Sequence, residues 1–167
     1  MSALITIYGF ADSDMLQKFQ KDWNEANRTT HKRKDIYVSS EGGYTDVFKV
    51  IEETINSDHS RCTLTAVGEI HSCAFEMFYN VKCKRRIMPY CFGMYHFGYD
   101  EIKIDEKGKP KDAYDKARFN NLKRLQQYTI DFCKRIGMNA AEIKQIRAGE
   151  DVYFQADRLN YFLKQVQ

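Results

Sequence analysis

The chain has 167 residues, 43% of them hydrophobic and 14% aromatic, with only 9 glycines and 2 prolines. That length suits one compact unit with its own core, and that composition excludes collagenous, low-complexity and disordered chains. The net charge of +3, from 26 basic and 23 acidic side chains, is too small and too evenly mixed to single out a nucleic-acid partner.

Leu4-Ile5-Thr6-Ile7-Tyr8 is short, β-branched and followed by Gly9, the signature of a largely buried strand. Asp12 or Ser13 is placed to cap a helix with Leu16, Phe19, Trp23 and Ala26 at helical spacing, leaving Lys18, Lys21 and Asp22 to solvent. A basic loop, His31-Lys32-Arg33-Lys34, leads to a second strand over 35–39. That strand passes through Ser40-Glu41-Gly42-Gly43 into a helix carrying Val47, Val50, Ile51, Thr54 and Ile55 on one side. The unit recurs as a strand over 61–67, a turn Gly68-Glu69-Ile70-His71 and an apolar helix over 72–79. A third strand unit covers 86–95. Strands alternating with helices predict an α/β fold with a parallel sheet and right-handed crossovers. The functional crevice of such a sheet lies beyond the C-terminal strand ends, where both glycine-bearing turns fall.

The stretch 100–111 is polar, with Ile102 and Ile104 alternating before Gly108-Lys109-Pro110, and reads as a hairpin or a mobile arm. Pro110 is placed to open a long helix. Ala113, Ala117, Leu122, Leu125, Thr129, Phe132 and Ile136 form its stripe, and Gly137 is placed to end it. About 25 helical residues reach about 38 Å, more than a domain of this size needs for its own core, so the helix is expected to pack on another subunit. Asn139 and Glu142 have the spacing of a capping box, and 153–166 reads as amphipathic.

No apolar run nears the roughly 20 residues that span a bilayer, and the N-terminus lacks the pattern of a signal peptide. The five cysteines, Cys62, Cys73, Cys83, Cys91 and Cys133, contain no C-x-x-C pair. They suggest neither a disulfide framework nor a zinc ribbon and fit a reducing, cytoplasmic compartment. No membrane, metal or cofactor is expected.

Ser72 follows a strand and opens a helix, which would set its hydroxyl at the sheet edge as a nucleophile. The backbone N–H of Cys73 and that of Gly43 suit a developing oxyanion, because only glycine lets a backbone approach a substrate that closely. His96 ends the third strand unit 24 positions after Ser72, where it can serve as general base. Each element also has an ordinary reading: a helix-capping serine, a satisfied histidine, a plain Gly-Gly turn. His71 is the rival base, although side chains adjacent in sequence diverge. His31 and His59 read as solvated.

These residues carry a resemblance. The run Asp35-Ile36-Tyr37-Val38-Ser39-Ser40-Glu41-Gly42-Gly43 resembles the strand and Ser-Pro-Gly-Gly turn of the ClpP family of serine peptidases, with Glu41 in place of proline. Gly68-Glu69-Ile70-His71-Ser72-Cys73-Ala74 is similar to the family's Gly-Gln-Ala-Ala-Ser-Met-Gly nucleophile motif, with Ala74 for the last glycine. Pro89-Tyr90-Cys91-Phe92-Gly93-Met94-Tyr95-His96 is similar to its proline-to-histidine strand. The helix after Pro110 resembles the handle through which ClpP rings stack. The resemblance implies a ClpP/crotonase-like spiral of β-α units as a single domain over 1–167, with a handle over about 98–137. It implies hydrolysis of polypeptides by Ser72 and His96, and self-association as a ring or stacked oligomer.

The third triad member is where the sequence departs: the family's aspartate position falls near Arg147 or Gly149, and Asp151, or else Glu150, is left to orient His96. The family's N-terminal gate segment is also missing, which makes an unfoldase partner doubtful and brings the chain nearer to divergent phage ClpP-like proteases that act in head maturation. The reading from another class is a non-catalytic ClpP-like subunit or assembly scaffold. A nucleic-acid module built on His31-Lys32-Arg33-Lys34 ranks last, because four adjacent basic residues usually form a solvated loop.

Overall fold

The computed structural model describes residues 2–29, 33–98 and 102–167, which fall into two compact units. The first comprises the described residues of Met1–Tyr95 together with Tyr153–Gln167, and the second is His96–Val152.

In the first unit, strands β1 (Ser2–Ala11), β2 (Arg33–Gly43) and β3 (Cys62–His71) alternate with helices α1 (Ser13–Arg28), α2 (Thr45–Ser57) and α3 (Cys73–Asn80). Strands β4 (Lys84–Ile87), β5 (Phe92–Tyr95) and β6 (Val152–Gln155) then precede the last helix, α6 (Ala156–Gln165). The sheet order is β1-β2-β3-β5-β6, β4 also pairs with β3, and the β1–β2, β2–β3, β3–β4 and β3–β5 ladders are all parallel. Register aligns Ile5 with Ile36 and Leu64, and Ile7 with Val38 and Ala66, all fully buried. Each such isoleucine, leucine or valine contributes roughly 1.5–3 kcal/mol by leaving water.

The first strand is buried on one face only, where its composition suggested a largely buried strand. It alternates, and Leu4 and Tyr8 stand 63% and 55% exposed on the opposite face. The strands also run past their predicted ends. Gly9 makes a register shift between Tyr8 and Phe10 instead of a stop, and both predicted glycine turns lie inside strands β2 and β3. A neighbouring strand supplies the ladder bonds that hold such residues extended, and local propensity does not report it. The basic loop is corrected as well: Arg33 and Lys34 belong to β2, while His31 and Lys32 lie outside the described residues. Lys34 is 2% exposed, with its ammonium 2.6 Å from Asp58 Oδ2 and 4.7 Å from the centre of the Trp23 ring.

Asp12 caps α1 by accepting the Asp14 and Met15 N–H groups, and the helix buries Met15, Phe19, Trp23 and Ala26, with Met15 taking the place expected for Leu16. In α2, Phe48 is buried and Val50 is exposed, against expectation. The strand unit expected over 86–95 is two strands separated by a turn at Pro89, with Cys91 N–H donating to Met88 O. The amphipathic stretch expected over 153–166 is strand β6 followed by α6. Phe75 lies at the centre of an aromatic cluster with Tyr79, Tyr95, Phe154 and Phe162, joining α3 to these last elements.

In the second unit, Asp105 N–H donates to Lys109 O and Lys111 N–H to Lys103 O, closing the hairpin that was one of the two readings of this stretch. Asp100 and Glu101 lie outside the described residues. Pro110 belongs to the hairpin, and Asp112 caps the long helix α4 (Ala113–Arg135). Of the predicted stripe, Thr129, Phe132 and Ile136 are buried, whereas Ala113, Ala117 and Leu125 are exposed. Helix α5 (Ala140–Arg147) starts with the predicted capping box, Asn139 and Glu142 each bonding the other's backbone N–H. No described helix is long and apolar enough to cross a membrane.

Candidate active site

Strand β3 ends at His71 and α3 begins at Cys73, so the chain must turn at Ser72. It does so at φ 53°, ψ −122°, and among the described residues Ser72 is the only non-glycine with a positive φ. A side chain in that region costs about 1–3 kcal/mol and persists only where the surroundings over-determine it. Here the backbone is held on both sides: Ser72 N–H donates to Met94 O at 2.9 Å, and Ser72 O accepts from Glu76 N–H at 3.1 Å. The hydroxyl does not cap α3, so the ordinary reading of a serine at a helix start does not apply. A sharp strand-to-helix turn of this kind is the geometry that presents a nucleophile above a sheet edge.

The glycine pair lies against this turn. Gly42 and Gly43 have φ +94° and +140°. A Cβ on Gly42 would fall 2.9 Å from Ser72 Cβ and 3.0 Å from His71 O, and one on Gly43 would fall 2.6 Å from both N and O of Ala11. Neither position admits a side chain. Ser40, which the sequence reading passed over, pins the pair: its fully buried hydroxyl donates to Gly9 O at 2.6 Å and accepts Gly42 N–H at 3.1 Å. Its parity is the available signal, since period-two alternation puts Ser40 on the same buried face as Ile36 and Val38.

Cys73 N–H is the first donor of α3 and has no acceptor within the helix. The Cys73 thiol donates to Gly43 O at 3.4 Å, which places the two predicted oxyanion residues side by side. Burial pushes this thiol up to about 11 despite hydrogen bonds that favour the thiolate, so at neutral pH it is a protonated packing group and not the nucleophile. The rival histidine is engaged elsewhere. His71 Nδ1 lies 3.5 Å from Glu69 Oε2, and its ring packs edge-on against Phe92 and Tyr153.

In the second unit, His96 Nδ1 lies 3.1 Å from Asp151 Oδ1, at a side-chain exposure of 22% for the imidazole and 49% for the carboxylate. Asp151 is thus the acid that meets His96. It arrives from the loop after α5, which turns through Gly149 at φ +82°. A carboxylate can only accept, so this hydrogen bond needs the proton on His96 Nδ1. A cavity of about 480 Å³ is lined by both residues together with Phe97, Leu122, Gln126 and Arg147. The residue before His96 is anchored in the first unit: Tyr95 stacks on Phe75 and its hydroxyl donates to Glu76 at 2.9 Å. Among the described residues no histidine, cysteine and carboxylate group gathers as metal ligands.

No protein-family model matches the chain, and no curated protein matches it in sequence. Its structure is similar to that of a ClpP1 point mutant from Listeria monocytogenes, with a TM-score of 0.71. The match covers 96% of this chain and 88% of that one, at 14% sequence identity. The chain has the ClpP fold. At this identity the ClpP likeness concerns architecture, and the chemistry of Ser72, His96 and Asp151 is argued from their own surroundings.

Proposed function

We propose that this ClpP-like chain is a serine peptidase, with Ser72 as nucleophile, His96 as general base, Asp151 as the acid that orients it, and the N–H groups of Gly43 and Cys73 as oxyanion donors. The observation that carries this reading is the Ser72 backbone, a strained conformation kept at a serine whose hydroxyl is not spent on capping. Connectivity supports the choice of base. Met94 accepts the Ser72 N–H, and His96 follows Met94 by two residues, a span of at most about 7 Å.

In this mechanism Ser72 Oγ bonds to the scissile carbonyl carbon while its proton passes to His96 Nε2, and Asp151 stabilises the imidazolium. The negative charge that forms on the carbonyl oxygen is met by the two N–H groups at the start of α3 and the end of β2. Collapse breaks the C–N bond, and His96 returns the proton to the leaving amine. Water then adds to the acyl carbon with His96 as base and releases Ser72. The chain acts as a single ClpP-like domain and assembles with copies of itself through α4. Tyr114, Leu125 and Tyr128 support that assembly, being 69%, 45% and 43% exposed on one helical stripe. Its setting is that of the divergent phage proteases of this fold.

Fluorophosphonate labelling tests the chemistry, because it requires an activated serine. The wild-type chain is expected to label, and Ser72→Ala to lose the label while keeping its circular dichroism. A wild type that does not label, or an undiminished label on Ser72→Ala, overturns the assignment and leaves the scaffold reading.

A further inference from the structure

Three ionisable residues line the cavity of the second unit: His96, Asp151 and Arg147. The first two are directed at each other across 3.1 Å. The Arg147 guanidinium makes no hydrogen bond or ion pair with any described residue. Arg147 ends α5, where a cation is favourable against the helix dipole, but Lys144 supplies that charge in the same last turn, so helix stability does not call for a second. A guanidinium with no partner among the described residues is therefore held in the wall that His96 and Asp151 share.

We infer that Arg147 determines specificity by binding the carboxylate of an acidic substrate side chain next to the scissile bond. This rests on the reading of His96 as general base. A reacting peptide group must come within hydrogen-bond reach of that imidazole, and the side chains flanking it then meet the cavity that His96 lines. A volume of about 480 Å³ suits such a guest. Leu122 and Phe97 offer apolar surface to the methylene stem of a glutamate, and the planar guanidinium matches the carboxylate with two parallel hydrogen bonds. Arg147 is itself exposed, so the discrimination expected against a neutral isostere is modest, about fivefold.

Binding to the Ser72→Ala protein tests this without turnover. Short fluorescein-labelled peptides carry one glutamate or one glutamine at successive positions, and anisotropy reads Kd. At one position the glutamate peptide is expected to bind about fivefold more tightly, with the advantage shrinking as salt rises. Arg147→Gln, added to Ser72→Ala, should bring the ratio to one, and Arg147→Glu should invert it in favour of a lysine peptide. Equal Kd values at every position, no binding of either peptide, or a preference that survives Arg147→Gln overturns the inference. Absence of fluorophosphonate labelling in the wild-type chain counts against the serine peptidase reading instead, so the two failures are told apart.

Discussion

Ser72 shows how one residue's backbone can outweigh its neighbours in sequence. Its φ of 53° leaves room for a side chain only because Gly42 has none: the Cβ missing from Gly42 would lie 2.9 Å from that of Ser72. Gly42→Ala is therefore expected to cost about 1–3 kcal/mol in chemical denaturation and to slow fluorophosphonate labelling, with an unchanged midpoint and label speaking against the contact. Asp151 behaves differently because its side chain is half exposed. Asp151→Asn should lower kcat by about 10⁴ through the wrong His96 tautomer, yet move stability by no more than about 0.5 kcal/mol. Cys73 supplies a control at the same turn. Its thiol, raised to about 11, is expected to resist alkylation in the native protein until the pH approaches that value, and Cys73→Ser should still label at Ser72.

Elements meet at Asp58, the residue after α2, which joins that helix to the start of β2. Burial alone would raise its carboxyl, but hydrogen bonds from Arg61 and from the buried Lys34, with their charges, hold it below its ordinary value of 3.8. A carboxylate with a depressed folded value adds stability that is fully present above 3.8 and is lost as pH falls through that folded value. Asp58→Asn should thus cost about 3 kcal/mol at neutral pH, because Lys34 is left buried without its counter-charge. Denaturation curves of the two proteins should converge only below about pH 4, and a constant gap down to pH 2 would contradict the ion pair's role. The apolar spacing of α1 and α2 was readable from their 3.6-residue period. The choice of Met15 over Leu16 and of Phe48 over Val50 was not, since only the packing partner decides which of two apolar side chains one or two positions apart turns inward.

For the molecule as a whole, α4 carries the expectation of assembly. Its C-terminal third is buried by Thr129, Ile130, Phe132 and Cys133, and the remainder shows Tyr114, Leu125 and Tyr128 to solvent. Light scattering of the wild-type chain at micromolar concentration should report a multimer. Leu125→Glu combined with Tyr128→Glu should shift the mass to monomer without loss of helix, both side chains being exposed. A monomeric wild type would refute assembly through this surface.

The sequence by itself determined the alternation of strands and helices as far as α3, the parallel sheet, the long helix and the capping box at Asn139. All of these follow from local periodicity and from end signals that act within a few residues. Ser72, His96 and Asp151 were also singled out there, as a pattern of residue types. Only the tertiary structure decided that the glycine turns are strand, that Lys34 is buried, that Ser40 pins Gly42, and that Asp151 and not Glu150 faces His96. These outcomes turn on partners tens of residues away, such as Gly9 O for the Ser40 hydroxyl or His96 for Asp151. Hydrogen-bond geometry and packing across strands choose among such partners, and no local window of sequence contains both members of the pair.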